Sequence, residues 1–183
     1  REAADLVEAK RSELNAWLTP LLAQSNLRVI LTGAGTSAYV GEAIAPHLSK
    51  ETGRIFEAIS TTDIVSNAPQ YLFKNIPTLL ISYGRSGNSP ESLATVNLVN
   101  QVVNNCYHLV ITCNPEGDLA LSANGASNVF SLLMPEGTLD QSFAMTSSFT
   151  SMLVSTLSIF APQPEQLELA AQSAENLLEN NLD

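Results

Sequence analysis

Five short apolar runs recur along the chain of 183 residues, and segments that favour helices separate them. The predicted strands span residues 28–32, 55–60, 78–82, 107–112 and 128–134. Strands that are apolar throughout and alternate with helices indicate a parallel sheet with helices on both faces. The pattern therefore predicts an α/β fold, a doubly wound three-layer αβα sandwich around a five-stranded parallel sheet.

Helix-forming segments precede, connect and follow these strands. They are an amphipathic start within 1–25, a helix over 37–50 that Gly53 ends, a short helix capped by Thr61-Thr62-Asp63, a helix starting at Pro90, a short one over 119–123, a buried one over 143–160 and an amphipathic one over 163–182. Proline in a first turn and glycine after a last turn are usual helix boundary signals. We expect a helical segment at 1–25, one α/β domain at 26–161 and a C-terminal helix at 162–183.

The charge distribution limits the kinds of partner. The net charge is −10, and no lysine or arginine follows Arg85. Nucleic acid binding depends on clustered cations, so nucleic acid is not an expected partner. No apolar segment approaches the roughly 20 residues that a membrane span needs, and the first residues are charged helix formers rather than a signal peptide. We therefore expect a cytoplasmic protein that does not enter a membrane.

Metal and cofactor sites are also not expected. Cys106 and Cys113 are too few and too weakly placed for a metal site or a disulfide scaffold, and we expect them to be reduced core thiols. GAGTSA matches the G-x-G-x-x-A dinucleotide fingerprint. The second predicted strand, however, ends in Ser60 and not in the acidic residue that would bind a ribose. We expect neither a nicotinamide cofactor nor a metal.

Two hydroxyl-rich turns follow the first and third predicted strands. GAGTS occupies residues 33–37 and GRSGNS occupies residues 84–89, and a predicted helix follows each. The first amides of a helix lack internal partners and the dipole favours anions there, so such turns suit a phosphate. Right-handed crossovers bring both turns to the carboxyl edge of the sheet. We expect one shared anion site, although helix capping by serine explains either turn alone equally well.

Few residues are candidates for acid–base chemistry. Glu136 and Asp140 lie within reach of the carboxyl edge, although solvated loop carboxylates are more common than catalytic ones. Glu91 lies in a first helical turn, where stabilising the dipole is the simpler role. His47 lies far along its helix and His108 at the opposite end of its strand, so neither is expected to be catalytic. The sequence contains no defensible Ser-His-Asp arrangement.

The segments LTGAGTSA, ISYGRSGNSPES and FAMTSSFTSML together resemble the sugar isomerase (SIS) domain. The resemblance is to the first of two such domains in the tagatose-6-phosphate ketose/aldose isomerase family, also described as galactosamine-6-phosphate deaminase/isomerases. TTDIVSN, CYHLVITCNPEG and LLMPEGTLDQSFAMTSS are similar to that family too, so nearly the whole chain is covered. The resemblance implies a phosphorylated sugar or amino sugar as ligand, isomerase or deaminase (hydrolase) activity in carbohydrate metabolism, and a homo-oligomer.

The same resemblance implies a set of binding residues. The phosphate ligands would be Gly35, Thr36, Ser37, Ser86, Gly87, Asn88 and Ser89. Sugar contacts are expected from Arg85, Asp140, Thr146 and Ser147, where Ser147 replaces a lysine of the related glucosamine-6-phosphate synthase. Arg85 could instead be a solvated or interface arginine. The catalytic residues are not assigned.

Family members continue into a second SIS half with a catalytic glutamate and histidine, and this chain stops at ENNLD before any such segment. We therefore expect the missing second SIS half to be a partner and the chain alone to be inactive. The alternative is a phosphosugar-sensing regulatory module without catalysis, which an attached helix-turn-helix domain would favour. The helices at 143–160 and at the termini could serve self-association, docking of the absent half or simply core packing.

Overall fold

The structure is a computed structural model that describes residues 1–122, 125–141 and 143–180. Its strands are β1 (Arg28–Gly33), β2 (Phe56–Ala58), β3 (Thr78–Gly84), β4 (Cys106–Thr112) and β5 (Val129–Leu133). They form one sheet in the order β2-β1-β3-β4-β5, and every neighbouring pair is parallel. The predicted five-stranded parallel sheet is confirmed.

The order of the strands reverses between β1 and β3. From β1 the chain moves outward to β2, and it then crosses back to pair β3 with the other side of β1. The β1–β3 pairing runs from Arg28 opposite Thr78 to Gly33 opposite Tyr83, so both strands end at the same height. The turns that follow β1 and β3 are therefore neighbours at the carboxyl edge, at the switch point where open α/β sheets bind ligands.

Nine helices are described. They are α1 (Glu2–Ala9), α2 (Arg11–Leu22), α3 (Thr36–Thr52), α4 (Thr61–Ser66), α5 (Ala68–Tyr71), α6 (Pro90–Val102), α7 (Asp118–Leu121), α8 (Thr146–Phe160) and α9 (Pro164–Asn180). Pro90 is the first residue of α6, and Gly53 ends α3 with a φ of 68°, as predicted. No helix in the described ranges is long and apolar enough to cross a membrane.

Alternate residues of the strands pack on opposite faces of the sheet. Leu79 and Ile81 of β3 contact the core formed with α1, α2, α3 and α8, whereas Leu80 contacts the smaller core formed with α4, α5 and α6. All three side chains are fully buried. Burial of one such side chain contributes roughly 1.5–3 kcal/mol, so both helix layers are held to the sheet by apolar contact.

The crossover after β2 differs from the prediction. The strand predicted over 55–60 is only three residues long, and Ile55 before it is 75% exposed. Ser60 caps α4, because its Oγ accepts a hydrogen bond from the Asp63 amide. The predicted cap formed by Thr61-Thr62-Asp63 is therefore wrong: these residues lie inside the helix, where the buried Thr61 hydroxyl donates to the Gly33 carbonyl at 3.1 Å.

Several other boundaries are also shifted. The N-terminal segment forms two helices rather than one, and the buried helix predicted from residue 143 begins at Thr146. Phe143 is fully exposed, so burial of the whole segment 143–160 is wrong. The short helix predicted over 119–123 spans Asp118–Leu121, and the amphipathic helix over 163–182 spans Pro164–Asn180. Residues 123, 181 and 182 of these predictions lie outside the described residues.

The two cysteines are free thiols in different environments. Cys113 is buried at the end of β4, whereas Cys106 is only half-buried and its Sγ–H donates to Asn100 Oδ1. Burial raises the pKa of both thiols. The expected reduced core thiol is thus observed for Cys113 but only in part for Cys106.

Candidate functional site

The turns that follow β1 and β3 line one cavity of about 350 Å³ at the carboxyl edge of the sheet. The third wall comes from the segment before α8 and from α8 itself. The lining residues are Ala34, Thr36, Ser37, Tyr83, Gly84, Arg85, Ser86, Gly87, Ser89, Ser92, Phe143, Met145, Ser148, Phe149 and Met152. A pocket of this size lies within the usual range for small-molecule sites. The expectation that the two turns share one site agrees with this geometry.

The first turn, residues 33–37, is shaped by glycine. A side chain at Gly33 would meet the backbone carbon of Ser37 at 2.6 Å, so the start of α3 folds directly over this position. Gly35 has a φ of 55°, which side chains rarely allow. The amides of Ser37 and Ala38 donate to the carbonyls of Ala34 and Gly35. Thr36 and Ser37 line the cavity, whereas Gly35 is exposed beside it.

The second turn, residues 84–89, is held by its own hydroxyl groups. Ser86 Oγ accepts a hydrogen bond from the Asn88 amide at 3.3 Å. Ser89 Oγ–H donates to Ser92 Oγ at 2.6 Å, which joins the turn to the first turn of α6. Gly87 has a φ of 68°, and a side chain there would press on Thr112 Oγ1 at 3.2 Å. These contacts make the turn compact.

Some backbone donors of the two turns remain available to a ligand. Within the described residues, the amides of Thr36, Gly87 and Ser89 donate to no protein acceptor. They lie at the start of α3 and in the turn before α6, where the helix dipoles add partial positive charge. This arrangement is typical of anion binding at helix N-termini.

Residues that follow β4, in the next turn and at the start of α7, also form hydrogen bonds with the second turn. Asn114 Nδ2 donates to the Ser86 carbonyl at 2.9 Å, and the Leu119 amide donates to the Gly87 carbonyl at 3.0 Å. Asn88 Oδ1 accepts from the Asp118 amide at 2.8 Å. The Asn88 side chain thus binds the start of α7 and does not line the cavity.

Asp140 organises the third wall. Its Oδ2 accepts hydrogen bonds from the amides of Ser147 and Ser148, at 2.8 and 3.3 Å, and so caps α8 from outside the helix. Its carbonyl oxygen accepts from Arg85 Nη1 at 3.0 Å, which ties this wall to the second turn. The side chains of Asp140, Thr146 and Ser147 do not line the cavity. The start of α8 thus already carries a carboxylate, whereas the available amides described above lie at the start of α3 and in the turn before α6.

The cavity wall contains one permanent charge. Arg85 is the only Lys, Arg, Asp, Glu or His among the lining residues that the structure describes. Glu136 is exposed in the loop after β5, and Glu91 lies half-buried in the first turn of α6. The other candidates for proton transfer, His47 and His108, are remote from the cavity: His47 is exposed well along α3, and His108 is buried near the start of β4.

Sequence reasoning did not find several lining residues. Ser92 lies in the first turn of α6, three residues after Ser89, and Ser148 lies in the first turn of α8, eight residues after Asp140. These spacings were the sequence signals that could have identified both serines. Tyr83 is buried at the end of β3 with its hydroxyl 3.1 Å from Thr156 Oγ1. Burial raises the pKa of Tyr83, so its phenol stays neutral near pH 7. The apolar lining residues of α8, Phe149 and Met152, could not be identified from the sequence, because apolar residues on a helix usually pack into the core.

Comparison with known proteins identifies similar chains. The sequence model of the SIS domain matches residues 21–162. The D-galactosamine-6-phosphate deaminase AgaS of Shewanella sp. is 55% identical over 170 residues, which are 91% of this chain and 44% of that protein.

Two solved structures are similar as well. The tagatose-6-phosphate ketose/aldose isomerase of Escherichia coli has a TM-score of 0.83 and 57% identity, covering 85% of this chain and 42% of that one. A candidate tagatose-6-phosphate ketose/aldose isomerase from Clostridium novyi has a TM-score of 0.93 and 45% identity, covering 99% of this chain and 47% of that one. The chain thus spans less than half the length of each of these relatives.

Proposed function

Because the chain belongs to the SIS domain family, we propose that it is the phosphosugar-binding part of a sugar-phosphate isomerase or amino-sugar-phosphate deaminase. The relatives named above suggest tagatose 6-phosphate or galactosamine 6-phosphate as the ligand. In this proposal residues 26–161 are the SIS domain, and the helical segments at 1–25 and 162–183 flank it.

One observation supports the proposal above all others. Two hydroxyl-rich turns on adjacent strands line a single cavity, and each leads into a helix whose dipole favours an anion. Hydroxyls of Thr36, Ser37, Ser86 and Ser89 and the available amides would surround the phosphate, and Arg85 would add one charge-assisted contact. The glycines at 35 and 87 would let the backbone approach the phosphate closely.

The composition of the cavity wall also bears on catalysis. Aldose–ketose isomerisation moves a proton between C1 and C2 and therefore needs a base and donors for the developing oxyanion. No carboxylate or imidazole lines the described cavity. We therefore assign binding to this chain and the acid–base residues to a second SIS half in the longer enzyme, so that this chain alone is inactive.

Further parts of the proposal concern the longer enzyme. In the deaminase reaction, isomerisation of the amino sugar phosphate and addition of water would release a ketose phosphate and ammonia, which is hydrolytic chemistry. The enzyme would be a cytoplasmic homo-oligomer in which the second SIS half completes the active site. A regulatory phosphosugar sensor would bind the same ligands without any release of ammonia.

The proposed phosphate site can be tested with Ser37→Ala and Ser86→Ala. Each variant removes a hydroxyl donor to a charged group, a loss of about 1.5–3 kcal/mol, so binding should weaken about 10- to 100-fold. Isothermal titration calorimetry with D-galactosamine 6-phosphate and D-tagatose 6-phosphate measures the effect, which should appear as a raised KM in the longer enzyme.

Ser173→Ala is the matched control, because Ser173 is an exposed serine on α9 whose hydroxyl only donates to the Leu169 carbonyl. This variant should bind like the wild type. Unchanged affinity in both site variants would refute the phosphate site.

A further inference from the structure

We propose that Phe143 is a sugar-binding residue whose ring covers the carbon chain of the ligand while the two turns hold its phosphate. The inference rests on the proposed function and deepens it, because it fixes which end of the ligand points toward α8. It also assigns a ligand contact to an aromatic residue, which binding of the phosphate group does not require.

The cavity has a hydroxyl-rich side and a mainly apolar side, and Ser148 is the one described hydroxyl-bearing lining residue that comes from α8. Hydroxyl groups of Thr36, Ser37, Ser86, Ser89 and Ser92 come from the starts of α3 and α6. Apolar side chains of Phe143, Met145, Phe149 and Met152 come from the α8 side. A sugar phosphate has the same division, with a dianionic group at one end and C–H groups along its carbon chain. The division orients the ligand, with its phosphate toward α3 and α6 and its carbon chain toward the apolar side.

Exposure increases along the apolar side from the core outward. Met152 is 1% exposed and belongs to the main hydrophobic core, and Phe149 is half-buried against that core. Met145 is half-buried, and Phe143 is fully exposed. Core packing explains the inner residues, whereas the Phe143 ring gains no burial from the described chain. Among the large exposed apolar side chains in the described part of the chain, Phe143 alone lines this cavity.

The backbone next to Phe143 is held at two points. On one side Arg85 binds the Asp140 carbonyl, and on the other the Asp140 carboxylate fixes the amides that begin α8. The Thr146 amide also donates to the Ala144 carbonyl at 3.0 Å. Phe143 lies three residues after Asp140 and three residues before Thr146, so it stays close to these two points, and it lines the cavity.

The test compares Phe143→Ala with two probes on the 183-residue chain, inorganic phosphate and D-galactosamine 6-phosphate, by calorimetry. Phe143→Ala should weaken binding of the sugar phosphate about 3- to 10-fold, the range of a single aromatic contact, and leave inorganic phosphate binding unchanged. Phe143→Tyr should retain wild-type binding of both probes. Ile55→Ala is the control, since Ile55 is another exposed large apolar side chain, at the opposite edge of the sheet.

The outcomes separate this inference from the proposed function. If the wild type binds both probes and Phe143→Ala affects neither, the role of Phe143 is refuted and the phosphate site stands. If Phe143→Ala weakens the binding of both probes equally, the substitution affects the phosphate site itself, and a specific contact of Phe143 with the sugar is refuted. If the wild type binds neither probe, the proposed function and this inference both fail. Thermal unfolding of each variant should match the wild type, because the ring is fully exposed.

Discussion

The environment of His108 determines the protonation state of this side chain. The ring is buried beneath α6, and Nε2 lies 3.0 Å from Asn100 Oδ1, an acceptor, so Nε2 holds the ring proton. Nδ1 is buried and has no hydrogen-bond partner among the residues that the structure describes. Burial lowers the pKa of His108 to about 4, because a charged imidazolium would lose its hydration without gaining an opposite charge. His108 is therefore neutral near pH 7.

This depressed pKa makes stability depend on pH. The unfolded chain binds the proton with a pKa of about 6.5 and the folded chain only near pH 4, so the free energy of unfolding falls as the pH drops from about 6.5 to 4. The total loss from this group is about 3 kcal/mol at most. Urea unfolding at several pH values should show a shallower dependence for His108→Gln than for the wild type. Parallel pH curves for the two proteins would contradict this account.

Individual residues differ in how well the sequence predicts them. Ser37 and Ser86 could be placed from the sequence because glycine turns after apolar strands define both their position and their neighbours. Asn88 belongs to the second of these turns and Asp140 to the segment before α8. Both were expected to contact the ligand, yet their side chains bind the amide of Asp118 and the amides that begin α8. Asparagine and aspartate bind backbone amides and ligands equally well, so only the positions of neighbouring elements decide between the two.

At the scale of elements, buried strands were predictable and irregular connections were not. The β3 run is apolar because both faces of the strand are covered, and this burial leaves a clear signal. β2 lies at the sheet edge and ends early because Ser60 begins α4. The segment before α8 looks helical by composition, but Asp140 caps the helix at Thr146 and holds residues 143–145 outside it. The capping residue Asp140 lies six residues before the first residue of the helix, so local sequence patterns do not reveal this cap.

The cap of α8 gives a test at this scale. Asp140→Ala removes the acceptor for two amides and a charge that interacts with the dipole, so it should lower the free energy of unfolding by about 1–2 kcal/mol. Asp140→Asn should lose less, because its carbonyl oxygen can still accept a hydrogen bond. Urea denaturation measures both effects.

The control for this test is Glu136→Ala, an exposed acidic residue in the same loop, which should change stability by less than about 0.5 kcal/mol. If Asp140→Ala proves as stable as this control, the carboxylate does not hold the start of α8.

For the whole molecule, the two last helices differ in their packing. α8 contributes Met152, Ser155, Thr156 and Ile159 to the interior, so core packing accounts for it. α9 buries no residue, and it is attached to the N-terminus by exposed ion pairs from Arg1 to Glu168 and Glu175. Its leucines at 169, 177 and 178 are exposed. Core packing therefore does not account for α9 as it does for α8.

The sparse positive charge of the cavity affects how a ligand arrives as well as how it is held. A dianion that approaches a chain with a net charge of −10 is repelled at long range, and amide and hydroxyl donors act only at contact. Added salt screens this repulsion, because the Debye length falls from about 30 Å at 0.01 M to about 8 Å at 0.15 M. In stopped-flow measurements the association rate of a sugar phosphate should therefore rise with ionic strength while its dissociation rate stays nearly constant. A steep decline in the association rate would instead indicate that cations draw the ligand in.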